Sequence, residues 1–191
     1  MKLFAIALCT LLVCPVFAGQ YVGVHVGTNN SVLTSENHNP KIGYKAGANY
    51  GYKFDNGFRA EVELAYHKNN FKTKYSLSEV DTIQAKGYRS FHHLSYMANV
   101  LYDITQIRVG DVTPYVGIGA GYCEHTEKNK IKFDSTTHQD KMKDNRFAYQ
   151  AIVGVKYDIN QAYAAAVQYH YFCGQAHVKD HSVGVSLIRN F

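Results

Sequence analysis

Hydrophobic and polar residues alternate one by one along most of the chain after residue 20. Between Ile42 and Phe54, every second position carries an apolar or aromatic side chain. The positions between them carry small, amide or basic side chains: Gly43, Lys45, Gly47, Asn49, Gly51 and Lys53. A period of two places one set of side chains on each face of a β-strand, whereas an amphipathic helix repeats every 3.6 residues. The pattern therefore predicts a strand.

The same alternation recurs along the whole chain and predicts eight strands. It is clearest in segments 21–27, 42–54, 58–67, 94–103, 115–122, 147–159, 163–171 and 183–191. Valine and tyrosine dominate the apolar faces, and the tyrosines stand near the ends of the segments. Because no segment shows the spacing of an amphipathic helix, we expect an all-β protein.

The connections between these segments alternate in length. Segments 55–57 and 158–161 are predicted to be tight turns, and 104–111 is predicted to be a moderate one. The other connections are longer and polar, and span residues 29–41, 68–87, 124–146 and 173–181. Short turns at one end and long loops at the other are typical of an outer-membrane barrel. We therefore predict a closed, antiparallel, up-and-down transmembrane barrel of eight strands, whose apolar faces point outward; a soluble β-sandwich is the alternative.

Three stretches carry a family resemblance. Segments 97–103 and 112–122 resemble the fourth and fifth strands of small outer-membrane barrels, the OmpA-like domains and opacity-protein-like surface antigens. The terminal Phe191 resembles the signal that the barrel-assembly machinery recognises, although Arg189 stands where that family usually has an apolar or aromatic residue. The resemblance implies an integral outer-membrane protein among membrane lipids and lipopolysaccharide, with extracellular loops and periplasmic termini.

The N-terminus has the parts of a secretory signal peptide. Lys2 precedes an uncharged, mostly apolar run over residues 3–17, and Ala18 follows it. A run of this length is short for a transmembrane helix, which needs about 20 residues. We therefore expect cleavage between Ala18 and Gly19, so that residues 1–18 are the signal peptide and 19–191 are the barrel domain.

Composition removes several classes of protein. A mean hydropathy of −0.27 does not fit a bundle of membrane helices, and 46% hydrophobic residues do not fit a disordered chain. The net charge of +5 is spread along the sequence, so we expect no nucleic-acid partner. Two cysteines follow the signal peptide, Cys123 and Cys173, and either a single bridge or two separate thiols fit an exported chain.

Charged residues recur on the predicted inner face. They are Lys45, Lys53, Arg59, Glu61, Glu63, Asp103 and Lys156. An eight-stranded barrel leaves room for little more than its own side chains, and unpaired buried charge is costly. We therefore predict that these residues pair with one another and fill the lumen. A narrow channel or a carrier of hydrophobic solutes is the alternative.

The sequence offers weaker candidates for catalysis and metal binding. His92 or His93 could join His125 and His177 in a zinc or copper site, but no tight ligand motif is present. We therefore predict no metal and no cofactor. A lipid A-modifying enzyme is a further alternative, with Ser90 or Ser95 near His92 and His93, although the segment after His170 lacks the serine of the deacylase type. We expect that the protein is not an enzyme.

The predicted long loops are the remaining candidates for function. The loops over 68–87 and 124–146 are slightly basic, although acidic residues are interspersed. Such a surface can attract anionic lipopolysaccharide or host glycans. Because the chain ends at Phe191, we expect no periplasmic wall-binding domain. The sequence thus predicts a structural and adhesive surface protein whose loops contact host or envelope partners.

Overall fold

The computed structural model describes residues 19–33, 42–75, 85–133, 136–174 and 178–191. The strands are β1 (Gln20–Leu33), β2 (Gly43–Lys53), β3 (Phe58–Tyr75), β4 (Ala85–Asp103), β5 (Val112–Phe133), β6 (Thr136–Asp158), β7 (Tyr163–Gly174) and β8 (Val178–Asn190). Each strand pairs antiparallel with the next, and β8 pairs with β1, so the sheet closes. The predicted fold class, a closed eight-stranded antiparallel barrel, is confirmed.

The two faces of the wall have opposite character. Apolar side chains cover the outside, where Val26 is 59% exposed and Ile118 is 71% exposed. Charged and amide side chains point inward, and many of them, such as Lys45 and Glu63, are buried. This is the reverse of a water-soluble sandwich, whose apolar faces meet in a core. The alternation in the sequence predicted this arrangement on all eight strands.

One end of the barrel carries Gly19, Phe191 and the short connections, and we call it the turn end. Between β2 and β3, Gly57 adopts a φ of +86°, a left-handed conformation that favours glycine, and its N–H donates to the carbonyl of Phe54. A short 3-10 helix, Thr105–Ile107, lies between β4 and β5. None of the helices in the described ranges is long and apolar enough to cross a membrane.

The opposite end, which we call the loop end, differs from the sequence prediction. Residues 68–75 and 124–133 were predicted to belong to loops, but they continue β3 and β5 in register with β4 and β6. The pairing reaches Tyr75 opposite Ala85 and Phe133 opposite Thr136. The prediction ended each strand where the apolar alternation ended. Backbone pairing needs no apolar face, so the ladders extend beyond the apolar part of the wall.

Aromatic side chains border the apolar band on the outer face. Near the turn end they include Tyr52, Phe58, Tyr102, Tyr157 and Tyr163; near the loop end they include Tyr44, Tyr66, Tyr122, Phe147 and Tyr169. From Tyr44 to Tyr52 a tilted strand rises roughly 20 Å, at about 3.3 Å per residue and a tilt of about 40°. That height is close to the apolar band of an outer-membrane barrel, which is about 25 Å tall.

Candidate functional site

Polar side chains fill the lumen in three layers, which we number from the turn end. The lower layer centres on Arg59, Asp103 and Lys156; the middle layer on Glu61, Glu63 and Lys45; the upper layer on His67, His93 and Asp180. The alternation of β2, β3, β4 and β6 directs most of these side chains inward, and β8 supplies Asp180. Each layer joins strands that are not neighbours in the sheet, so the layers connect separate parts of the wall.

The lower layer is a cluster of two cations around one carboxylate. Nη2 of Arg59 lies 2.9 Å from Oδ1 of Asp103, and Nζ of Lys156 lies 3.6 Å from the other oxygen. The guanidinium also lies against the rings of Tyr21 and Tyr115, at 5.7 and 4.7 Å from their centroids. Delocalised charge makes arginine well suited to such stacking while it pairs with a carboxylate.

The rings of Tyr21 and Tyr115 fit in the lumen because the wall position next to each ring is occupied by a glycine, which has no side chain. A Cβ atom at Gly51 would collide with the ring of Tyr21, and one at Gly154 would collide with the ring of Tyr115. The inward glycines that the sequence placed between apolar residues therefore make room for large side chains from neighbouring strands. Such complementarity is needed in a barrel of only eight strands, since its interior is narrow.

The middle layer surrounds two carboxylates with donors. Glu61 accepts hydrogen bonds from the Tyr21 hydroxyl at 2.9 Å and from the side-chain amides of Asn49 and Asn99 at 2.7 and 3.0 Å. Glu63 lies 2.8 Å from Nζ of Lys45. Charged groups in a low-dielectric interior are stable when they are paired and hydrogen-bonded in this way.

Glu63 also connects opposite walls. It accepts hydrogen bonds from the side-chain amides of Asn99 on β4 and Gln150 on β6, at 3.1 and 3.0 Å. The free space at this level is about 10 Å³, in a cavity bordered by His25, Glu61 and Glu63 among others. That is about the smallest volume that holds one water molecule. The cavity that the described residues border at this level therefore has room for about one water molecule.

Lys53 has a different position from the other inward charges. It faces inward near the turn end but is exposed, and lines an open cavity of about 560 Å³ together with Arg108, Asp111, Lys156 and Asp158. The predicted network thus divides into six residues within the lower and middle layers and Lys53 at the mouth. Alternation alone predicts the face of a residue but not its depth along the strand.

The upper layer was not anticipated as a group. Nε2 of His93 lies 2.9 Å from Oδ2 of Asp180, and Nδ1 of His67 lies 3.9 Å from the same oxygen. The two imidazoles stack with their centroids 4.2 Å apart, and Phe172 packs against both. The inward position of His67 followed from the alternation, whereas His93 stood one residue before the predicted segment 94–103. Asp180, however, fell in a predicted loop.

Among the described residues, the zinc or copper set considered from the sequence is brought together in part. His92 faces outward, where its Nδ1 lies 2.5 Å from the hydroxyl of Tyr66. His93 and His125 do stack inside the barrel, with centroids 6.3 Å apart. His177 lies outside the described residues.

The two cysteines lie on opposite faces of the wall. Cys123 is buried inside the barrel, and Cys173 stands on the outer face of β7, opposite Tyr149 of β6. Both thiols are free. The bridge that the sequence left open is therefore not formed, because the wall itself separates the two sulfur atoms.

Two of the residues considered for catalysis, Ser95 and His93, are inside the lumen, and so is His170. His170 is buried, and its Nδ1 lies 3.0 Å from Nζ of Lys45. Ser95 is 1% exposed and donates its hydroxyl proton to the carbonyl of Ala65. It lies 3.4 Å from Nε2 of His67, longer than a productive pair of nucleophile and base requires. A lipid in the outer leaflet cannot reach a serine enclosed in this way. Ser90 falls among the residues whose side chains are not described.

Comparison with known proteins agrees with this architecture. A family model described as the outer membrane protein beta-barrel domain matches residues 4–191. A protein of Gluconacetobacter diazotrophicus described as an outer membrane protein is 34% identical over 140 residues, which are 69% of this chain and 35% of that protein. The chain thus spans about a third of the length of that relative.

Solved structures share the fold at low sequence identity. Neisserial surface protein A is 14% identical, with a TM-score of 0.61 over 91% of this chain and 98% of that one. The attachment invasion locus protein Ail of Yersinia pestis, in complex with the heparin analogue sucrose octasulfate, is 17% identical, with a TM-score of 0.53 over 92% and 100%. These similarities concern the fold alone.

Proposed function

The chain belongs to the outer membrane protein β-barrel family, and on that premise we propose that it is a surface-interaction protein that binds anionic polymers. It is a protein of the outer membrane, where short turns of such barrels face the periplasm and long connections face outward. The loop end is then the extracellular end. The filled lumen is the first support for this function, because a sealed barrel contributes to the cell mainly through what its outer end carries.

The second support is the charge of the strands at that end. We call residues 68–75, 85–92, 124–133 and 136–146 the basic ribbon. Its sequence contains eleven Lys and Arg residues but only four Asp and Glu. Lys74 stands opposite Lys86 in the register, and Lys128 stands opposite Lys141. Like charges in directly opposed positions destabilise a sheet, and a bound polyanion neutralises such charges.

The anionic partner can come from the envelope or from a host. Lipopolysaccharide carries phosphate groups and surrounds every barrel in the outer leaflet, whereas host-surface glycans present sulfate and carboxylate groups. The structure of Ail with a heparin analogue concerns that protein, but it offers sulfated polysaccharide as a probe for this one. Binding at the extracellular end also agrees with an adhesive role.

The test compares three versions of the folded protein in detergent micelles. The first is the unmodified chain, the second carries Lys74→Gln, Lys86→Gln, Lys128→Gln and Lys141→Gln, and the third carries arginine at the same four positions. Heparin and purified lipopolysaccharide are the two probes. We expect the glutamine version to bind at least about tenfold more weakly, because each such lysine contributes about 1 kcal/mol near an anionic surface.

The arginine version keeps the charges and is expected to bind like the unmodified protein. Binding should also weaken as salt concentration rises, because salt screens exposed charges. Preference for heparin would identify a host-type glycan as the partner, and preference for lipopolysaccharide an envelope partner. Equal binding by all three versions, or none by the unmodified protein, would overturn the proposal.

The non-enzymatic nature of the protein is part of the same proposal. Ser95, which the sequence made a candidate, is enclosed by the wall and donates to a backbone carbonyl, and His170 is enclosed beside Lys45. Mass spectrometry of lipid A from cells with and without the gene is the direct check. We expect the same acyl pattern in both; a difference would replace the binding role with a lipid A-modifying one.

Export and assembly complete the proposal. We propose that residues 1–18 are a signal peptide removed between Ala18 and Gly19, supported by Lys2, the apolar run and the small residue at its end. The mass of the intact protein from outer membranes checks this directly. A mass that matches residues 19–191 is expected, and a mass that includes residue 1 would contradict cleavage.

A further inference from the structure

Three strands bring metal-type ligand atoms together inside the loop end of the barrel. His67 lies on β3, His93 on the neighbouring β4, and Asp180 on β8. β8 pairs only with β1 and β7, so Asp180 reaches the two histidines across the lumen. One ligand atom from each residue lies within 4.8 Å of the other two, and all three residues are buried.

A hydrogen bond sets the orientation of the first imidazole. Ser95 donates its proton to the carbonyl of Ala65, so its oxygen is left to accept one from Nε2 of His67, 3.4 Å away. A neutral imidazole that carries its proton on Nε2 has its lone pair on Nδ1. That Nδ1 atom has no hydrogen-bond partner among the described residues, and it faces the Asp180 carboxylate at 3.9 Å.

The second imidazole, that of His93, also lies beside Asp180 without a hydrogen bond to it. Nε2 of His93 is only 2.9 Å from Oδ2 of Asp180, yet the two atoms lack the alignment of a hydrogen bond. A lone pair on His67 and a carboxylate oxygen repel each other when nothing lies between them. A cation among the three groups converts this repulsion into attraction, since all three then act as electron-pair donors.

From this geometry we propose that the barrel binds one divalent transition-metal ion of the zinc class through Nδ1 of His67, Nε2 of His93 and the Asp180 carboxylate. Imidazole nitrogen and carboxylate oxygen are usual zinc ligands, and three protein ligands leave a fourth position for water. Coordination at about 2.0–2.1 Å places donors roughly 3.4 Å apart. The 3.9 Å separation of His67 from the carboxylate therefore shortens slightly, and the 2.9 Å separation of His93 from it lengthens slightly.

The surroundings support the ligands in the manner of known metal sites. Ser95 orients His67, and the side-chain amide of Asn29 donates to Oδ2 of Asp180 at 3.5 Å. The rings of His67, His93 and Phe172 stack on one another, which restricts rotation of the imidazoles. Such contacts from outside the ligand set typically contribute 10–100-fold in metal affinity. The ion would fasten β8 to β3 and β4 across the lumen, above the middle layer.

Refolding of the full chain into micelles with a metal tests the proposal, since the site is enclosed once the barrel has formed. Co²⁺ reports on its ligands through visible absorption, and Zn²⁺ stoichiometry is measured after excess metal is removed. We expect one ion per barrel and a Co²⁺ spectrum typical of nitrogen and oxygen ligands in four-coordinate geometry. Heat-modifiable gel migration verifies folding independently of metal.

Neighbouring histidines provide matched controls. His93→Gln is expected to weaken binding at least about 100-fold, because it removes a ligand and not merely its support. His92→Gln, one position away but on the outer face, is expected to bind like the unmodified protein. Asp180→Asn, which changes a proposed ligand, and its neighbour His181→Gln, which does not, form a second pair of variant and control. This second pair tests the proposal if His93→Gln does not fold.

Two outcomes would overturn the proposal. The first is a folded, unmodified barrel that retains no Zn²⁺ and gives no ligand-dependent Co²⁺ spectrum, which would leave a simple ion pair between histidine and aspartate. The second is binding that persists unchanged in both His93→Gln and Asp180→Asn, which would place the ion elsewhere. The heparin experiment above is independent, because its lysines lie outside this cluster.

Discussion

Nζ of Lys45 lies 2.8 Å from Oε1 of Glu63, and the two side chains are only 3% and 2% exposed. These residues are not opposite one another in the β2–β3 register, because Lys45 pairs with His67 and Glu63 pairs with Asn49. The lysine side chain therefore leans along the lumen to reach the carboxylate. Since Gln150 approaches Glu63 from β6, the pair is the centre of the contact between opposite walls.

Removing one partner of this pair is expected to lower the free energy of unfolding more than replacing both partners with apolar residues. Glu63→Gln leaves a buried lysine uncompensated, and we expect a loss of about 3–5 kcal/mol in the free energy of unfolding. The double variant Lys45→Met with Glu63→Leu is expected to recover much of that loss. Lys53→Met at the open mouth is the control and should change stability by less than about 0.5 kcal/mol.

Urea unfolding in detergent provides the measurement, followed by circular dichroism because the chain contains no Trp. If Glu63→Gln were as stable as the unmodified protein, the ion pair would not hold the walls together. Equal losses in the single and double variants would also contradict the argument, because the loss would then come from packing and not from uncompensated charge.

The close fit of Tyr115 against Gly154 leads to a second prediction. A methyl group at Gly154 would collide with that ring, whereas one at Gly174 would have its nearest neighbour at 3.7 Å, an ordinary contact. We expect Gly154→Ala to destabilise the barrel by about 1–3 kcal/mol, in the range of overpacked interiors. Gly174→Ala should be close to neutral in the same unfolding experiment. Similar effects at both positions would contradict the packing described for the lower layer.

Because the outer face is apolar, we expect a charged side chain there to lower the stability of the barrel by an amount that depends on its depth in the membrane. Ile118 is 71% exposed on the outer face in the middle of β5, where Val100 and Ala151 flank it. Ile118→Arg is expected to lower stability in lipid vesicles by about 2–4 kcal/mol. Val109→Arg is the control, because Val109 is 76% exposed but lies in the turn between β4 and β5, beyond the band. Equal tolerance at both sites would mean that lipid does not surround β5.

The C-terminal residue carries a prediction about assembly. The N–H of Phe191 donates to the carbonyl of Gln20 at 3.0 Å, and Arg189 stacks over the Phe191 ring at 5.0 Å from its centroid. We expect Phe191→Ala to lower the amount of folded protein in the outer membrane severalfold in cells. Refolding of the purified chain should change little, because that process does not use the assembly machinery. Phe54→Ala, at an exposed aromatic residue near the turn end, should not alter the amount.

The sequence predicted the barrel because hydrophobic and polar residues alternate with a period of two. That alternation specifies nearly everything about the wall, namely where the strands lie and which face of each points outward. Once Lys45, Glu63 and Asp103 alternate with apolar neighbours, their inward position follows from strand geometry alone. The limits of the strands at the loop end could not be predicted in the same way. There β5 and β6 remain paired where neither face is apolar, so hydropathy contains no signal for their ends.

The contacts within the lumen could not be predicted from the sequence for a different reason. The partnership of His67 with Asp180 depends on how the closed sheet brings β3 across from β8, which follows from curvature and stagger and not from local pattern. The depth of Lys53 depends on the same quantities. Inward histidines at matching register, such as His67 opposite His93, are the one signal from which part of the upper layer could have been found.

The central claim is that paired side chains seal the lumen, and single-channel recording in planar bilayers tests it most directly. The unmodified barrel is expected to give no reproducible open steps, because the middle layer leaves only about 10 Å³ of free space. Regular, uniform steps from the unmodified protein would contradict the sealed lumen and favour a channel.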